Sequence, residues 1–217
     1  MQNERKITVD EIVYKTIKEE IISGSYKSGD RLIELEVAQR LNTSRTPVRD
    51  ALKQLEREGF LVKEPYKGMM VRRFTCQEII NYYQVRSVLE ALCSYLVVKK
   101  LDSELEEYFT NNIYISKQAI KSEDYKLLAQ LNNDFHTKLA IASGNTMLQQ
   151  LLENLRAYSS IMRISIWSIP DRPKIAVEEH EAIVGAIIKG KKILAAKRTL
   201  DHIRSSYRNA QKILSFS

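Results

Sequence analysis

Asn42-Thr43-Ser44-Arg45-Thr46-Pro47-Val48-Arg49-Asp50-Ala51-Leu52-Lys53-Gln54-Leu55 is the most informative stretch of this chain. Thr43-Ser44 has the side chains of a helix N-cap, and Pro47 falls in a first turn, where proline is tolerated. Val48, Ala51, Leu52 and Leu55 then recur on one helical face, which must point into a core. Arg45, Arg49 and Lys53 are four apart and share another face. Gly59 ends the helix.

Upstream, Ile12, Val13, Ile17, Ile21 and Ile22 predict a helix that stops at Gly24. Ser28-Gly29-Asp30 reads as a turn, and Leu35, Val37, Ala38 and Leu41 mark a short second helix. Downstream, Phe60-Leu61-Val62-Lys63 and Met69-Met70-Val71-Arg72 are two apolar runs joined by Glu64-Pro65-Tyr66-Lys67-Gly68, a hairpin loop. Three helices and a hairpin are the parts of a winged helix-turn-helix.

Charge follows the same segment. The net charge is +7, and residues 40–73 hold nine basic against four acidic side chains, +5 of that total. A row of arginines at a helix start suits major-groove reading, because guanidinium pairs bidentately with guanine O6 and N7. Ser44, Thr46 and the free N–H groups of the first turn suit a phosphate. Lys67 and Gly68 at the hairpin tip suit close approach to a phosphate or the minor groove. The competing reading is a solvated amphipathic helix beside an ordinary hairpin.

With 217 residues and 44% hydrophobic content, the chain is long enough for two cored domains. Seven glycines and four prolines favour long helices over a turn-rich β fold. Four of those glycines precede residue 75, and none lies between Gly68 and Gly144. Thr75-Cys76-Gln77-Glu78 reads as a capping box. The expected organisation is mainly α: a winged helix-turn-helix over 1–74 and an all-α bundle over 75–217. About six helices are expected in the bundle, over 76–100, 103–121, 124–142, 146–167, 173–189 and 191–214. No apolar run reaches membrane-spanning length, and the polar N-terminus lacks a secretory h-region, so a cytoplasmic protein is expected. Cys76 and Cys93 lack metal-pair spacing and read as inert thiols.

The bundle holds the chain's three histidines, His136, His180 and His202. Each lies on a helix stripe compatible with an inward direction, and bundle interiors are where metal sites are built. Neutral imidazole suits Zn²⁺ or Ni²⁺. The plain alternative is three core-packed histidines. His180-Glu181 begins like a zincin motif, but Val184 stands where its second histidine belongs. No nucleophile elbow or Gly-rich phosphate loop is present, so an enzyme is not expected.

The run from Ser25 through Gly29-Asp30-Arg31-Leu32, Leu41 to Leu52, and Leu55-Glu56-Arg57-Glu58-Gly59-Phe60-Leu61 closely resembles the DNA-binding domain of the GntR family of bacterial transcriptional regulators. The resemblance implies that Arg45 and Arg49 read bases and that Arg31, Thr46, Lys67 and Gly68 contact DNA. Asn42 stands where the family usually has glycine, and Asn tolerates a left-handed backbone.

Leu131-Asn132-Asn133-Asp134-Phe135-His136, Ser143-Gly144-Asn145, Glu179-His180-Glu181-Ala182-Ile183 and His202 are similar to the FCD ligand-sensing domain of the FadR subfamily. That resemblance implies a divalent metal held by three histidines and a residue four before the first. Here that residue is Asn132, where many relatives have Asp; Asp134 lies on another face. Arg86 and Arg172 match positions that hold an effector carboxylate, although Arg86 is also placed to pair with Glu90. The implied protein is a homodimer on a palindromic operator, controlled by a small organic acid, with repression the commoner mode. The alternatives are a metal-dependent enzyme and a constitutive DNA binder with a structural bundle.

Overall fold

A computed structural model describes residues 8–155 and 171–214, with side chains as far as 208. The end of the expected 146–167 helix and the turn at Pro170 lie outside the described residues. The chain divides into two compact units, one up to Phe74 and one from Thr75.

In the first unit, α1 (Val9–Ser23) starts at a Thr8–Glu11 capping box and stops at Gly24, whose φ of 83° is left-handed. Strand β1 (Arg31–Leu32) leads into α2 (Glu34–Arg40) and α3 (Arg45–Arg57). Asn42, between these helices, has φ 50°, as its tolerance of that region leads one to expect. Strands β2 (Leu61–Glu64) and β3 (Gly68–Val71) form the hairpin, with Leu61 opposite Val71 and Glu64 opposite Gly68. The sheet order is β1-β3-β2, all antiparallel.

The β1 strand is a finding beyond the sequence reading, which has only a turn before Arg31. Two residues are too few to show periodicity, and their pairing with Met69 and Met70 is set by tertiary structure. The strands also end one residue away from the apolar runs, since Phe60 and Arg72 sit outside the ladder.

The core of this unit is the stripe expected of α3 closed by its neighbours. Val48, Ala51, Leu52 and Leu55 are buried against Val13, Ile17 and Ile21 of α1, Val37 and Ala38 of α2, and Leu61 and Val71 of the hairpin. Lys18, Tyr14 and Glu58 tie α1 to the end of α3, with Lys18 Nζ and Tyr14 Oη each 2.7 Å from Glu58.

The second unit is helical among its described residues: α4 (Cys76–Val97), α5 (Ser103–Lys121), α6 (Tyr125–Ala142), α7 (146–155 as described), α8 (Arg172–Ile188) and α9 (Lys192–Leu214). Local chemistry sets the starts. Thr75 and Glu78 make the expected capping box on α4, and Asp102 and Asp124 accept the Leu105 and Leu127 N–H groups. Helix α4 packs on α9 and α6, α5 on α6 and α8, and α8 on α9. Phe109, Leu128, Phe135, Leu139, Ile183 and Ile187 fill the centre. The buried face of α4, by contrast, carries Arg86, Ser87, Glu90 and Ser94.

A unit as small as the first has little apolar surface to spare. Leu55→Ala, at a site with no exposed surface, is expected to cost it about 2–5 kcal/mol. A lowered urea midpoint for this unit, with the helical unit's transition unchanged, is the measurement that checks this.

Candidate functional site

The first candidate is the outer face of α3. Burying Val48, Ala51, Leu52 and Leu55 turns Arg45, Thr46, Arg49 and Lys53 out to solvent. Ser44 is the N-cap residue and is exposed, and its hydroxyl makes no capping hydrogen bond. The first-turn N–H groups therefore lack a side-chain cap, which suits an anion. Arg45 Nη2 lies 3.2 Å from Glu34 Oε2. Such an exposed pair contributes little and is easily exchanged for a phosphate or base. Arg49 has no ion pair among the described residues. At the hairpin, Lys67 pairs with Glu64 at 2.9 Å. Arg31, Lys63, Tyr66 and Gly68 line one shallow hollow. Gly68 has φ 83° and open space around it, so backbone there can approach a ligand closely.

The second candidate is a buried cluster in the helical unit. His136 of α6, His180 of α8 and His202 of α9 converge, with one ring nitrogen from each within 4.8 Å of the others. His180 Nε2 and His202 Nε2 are 3.2 Å apart. Phe135 stacks on His180 with centroids 4.0 Å apart and planes 7° from parallel. Burial pushes all three imidazoles toward the neutral form: His136 down to about 4, and His180 and His202 below the usual range.

Two carboxylates hold the outer edges of these rings. His202 Nδ1 is 2.7 Å from Glu179 Oε2. His136 Nδ1 is 2.5 Å from Glu90 Oε2, off the line of a well-formed hydrogen bond. Glu179 and His180 are neighbours on α8, so one helix touches both nitrogens of His202. Each carboxylate is also held by an arginine. Arg86 Nε lies 2.5 Å from Glu90 Oε1, and Arg172 Nη1 lies 2.9 Å from Glu179 Oε2. Burial alone would raise both carboxyls, but Arg86 and His136 keep Glu90, and His202 and Arg172 keep Glu179, below the usual range.

The structure therefore brings together His136, His180 and His202 and sets Arg86 and Arg172 behind them. Arg86 makes the pair with Glu90 that its spacing allowed, and also takes Tyr82 at 3.2 Å. Arg172 reaches Ser206 at 2.7 Å, and its Nε is buried without a hydrogen bond among the described residues. Asn132 is buried on α6 one turn before His136 and makes no hydrogen bond to a described residue. Glu90 and Glu179 are the site residues that sequence reasoning missed as histidine partners. Glu179 adjoins His180, but its link to His202 joins two helices and has no spacing signature.

The donor set fits a divalent ion. With Nδ1 of His136 and His202 turned to carboxylates, each ring's Nε2 remains as the ligand atom, the arrangement typical of metal-bound histidine. Two nitrogens about 2.0–2.1 Å from one tetrahedral ion lie about 3.3 Å apart, close to the observed separation of 3.2 Å between His180 and His202. Among the described residues no helix is long and apolar enough to cross a membrane.

Comparison with known proteins agrees with both halves. Residues 10–71 match the family described as bacterial regulatory proteins, gntR family, and residues 81–205 match the FCD domain. An HTH-type transcriptional regulator of Bacillus subtilis, YdhC, is 28% identical over 203 residues, covering 93% of this chain and 90% of that protein. A probable D-xylose utilization operon transcriptional repressor of Paenarthrobacter nicotinovorans is 28% identical over 203 residues, covering 91% and 87%. The solved structure of E. coli McbR/YncC shares the fold, with a TM-score of 0.82 at 18% identity, covering 96% of this chain and 99% of that one. With a gntR-type reading head and an FCD domain spanning most of the remainder, the chain belongs to the gntR family of bacterial regulatory proteins and is a DNA-binding transcriptional regulator, not an enzyme.

Proposed function

We propose that this regulator is a member of the FadR subfamily, a homodimer whose binding to a palindromic operator is controlled by a small organic acid at a metal centre. In this reading residues 1–74 bind DNA, and residues 75–217 dimerise and sense the effector. Each subunit lays α3 in a major groove, Arg45 and Arg49 on base edges, and Ser44, Thr46, Arg31, Lys67 and Gly68 on the backbone or minor groove. Repression is the mode that agrees with the relatives named as repressors. The metal is Zn²⁺ or Ni²⁺, held by His136, His180 and His202 with Asn132 as a neutral fourth ligand.

The observation that carries the sensing reading is the buried convergence of three neutral imidazoles, two of them backed by carboxylates. Burial of this kind leaves a histidine a poor proton acceptor and a good metal ligand. The charges behind it cancel in pairs, Arg86 with Glu90 and Arg172 with Glu179. The ion's two positive charges are therefore not offset by the protein, and an anionic effector supplies what is missing. The unshared Nε–H of Arg172 is a donor suited to its carboxylate.

The direct test is a thermal-shift screen of organic acids with and without added Zn²⁺ or Ni²⁺. Ligands of the folded state raise its melting temperature by mass action. Acids that act only when metal is present support the reading. A chain whose operator binding ignores every acid and metal is a constitutive binder.

Three quantitative expectations follow from the geometry. Arg49→Ala should weaken binding to duplexes selected by the wild type from a randomised pool by roughly tenfold or more per subunit, the loss of a bidentate contact worth about 1–3 kcal/mol. Its melting temperature should stay that of the wild type. Glu90→Gln and Glu179→Gln should each weaken Zn²⁺ binding about 10–100-fold in calorimetry, whereas His180→Ala should abolish it. Asn132→Asp should tighten Zn²⁺ binding in effector-free protein and reduce the coupling between metal and any acid found in the screen, since the coupling is reciprocal. Equal Zn²⁺ affinity in wild type and Asn132→Asp would refute the charge argument.

A further inference from the structure

Tyr66 stands at the tip of the β2–β3 hairpin between Pro65 and Lys67, and its side chain is exposed to the full extent possible, 104% of the reference value. Its backbone has φ +65°, a conformation that costs a bulky L residue and suits glycine or asparagine. Among the described residues the ring stacks on no aromatic neighbour and the hydroxyl makes no hydrogen bond. No hydrogen bond or ring contact among the described residues thus offsets the strain of this backbone. Strain of this kind is kept where a bound state uses it.

The surroundings indicate which bound state. Arg31 on β1 and Lys63 on β2 are both exposed and line the same hollow as Tyr66. Lys67 follows it, with 65% of its side chain exposed. Glu64 also lines the hollow and pairs with Lys67, which leaves Arg31 and Lys63 as the cations beside a projecting aromatic ring on a domain that binds DNA. Cations match the phosphate ridges on either side of a groove. The ring matches what lies between them: a minor groove about 6 Å wide, whose floor at A·T pairs shows only acceptors. A phenol hydroxyl can donate to adenine N3 or thymine O2. At G·C pairs the guanine 2-amino group adds a donor that projects into the same space between the acceptors.

The geometry points to Tyr66 as a minor-groove residue of the wing, giving this regulator a preference for A·T pairs flanking each half-site. The inference rests on α3 occupying the neighbouring major groove, and the experiment separates the two. Full-length wild type, Tyr66→Asn, Tyr66→Gly, Tyr66→Phe and Arg49→Ala would each be used to select duplexes from one randomised pool at fixed salt. Affinities would then be measured on the duplexes that the wild type enriches.

Wild type should enrich a central half-site sequence with A·T-rich flanks. Tyr66→Asn and Tyr66→Gly, which accommodate the left-handed backbone without the ring, should keep the central sequence and lose the flanking preference. Their affinity should fall about tenfold, the scale of one base contact. Retention of the central sequence shows that both variants are folded. Tyr66→Phe, keeping the ring without the hydroxyl, should fall between them and the wild type. Arg49→Ala should lose the central sequence while its selected pool stays A·T-rich. Wild type without A·T-rich flanks, or Tyr66→Asn with wild-type flanks or affinity, overturns the assignment. An Arg49→Ala pool identical to the wild-type pool would instead remove the major-groove placement of α3.

Discussion

Neutrality inside the helical unit is the constraint on which its arrangement turns. Three imidazoles, two carboxylates and two guanidinium groups are packed among phenylalanines and aliphatic side chains. An unpaired charge in such surroundings would be prohibitive. Each carboxylate is therefore shared between an arginine on its own helix and a histidine on another. These bridges cross α4 to α6 and α8 to α9, so the polar centre also fixes how four helices meet. Breaking one partner leaves the others uncompensated, which makes a buried network of this kind more consequential than its net stabilisation.

The first unit rests on a simpler constraint. A small domain must turn every apolar side chain of α3 inward to have a core at all. Val48, Ala51, Leu52 and Leu55 are each no more than 3% exposed. The cationic face is the geometric remainder of that packing, held on a helix whose orientation α1, α2 and the hairpin all determine. The face proposed to read DNA and the face that builds the core thus lie on different sides of one helix, and each side is free to vary without the other.

Legibility in the sequence followed the range of the physics involved. The helix start at Thr75 and the stop at Gly24 were readable because capping is chemistry between residues a few positions apart. The α3 stripe was readable because its period is local. The convergence of the three histidines was readable only as a compatible direction for each. Strand β1 was not legible, since a two-residue strand exists only through its partner. Nor was the burial of α4's inner face: Arg86, Glu90 and Ser94 are polar, and their burial is decided by α9 and α6. Arg86 and Glu90 were legible as a pair one turn apart. That the same carboxylate also backs His136, 46 residues on, depends on two helices meeting.

Phe135 belongs to both halves of the helical unit's interior. Its ring meets Phe109 edge-on, with centroids 5.3 Å apart, in the apolar centre, and lies flat on His180. The side chain that anchors the hydrophobic core is therefore also a wall of the histidine cluster. Divergence of ligand preference within this architecture has no separate compartment in which to proceed. A change that reshapes the histidine cluster from this wall alters packing density at the same time, so any new specificity reached by this route must arise alongside compensating changes in the aromatic core.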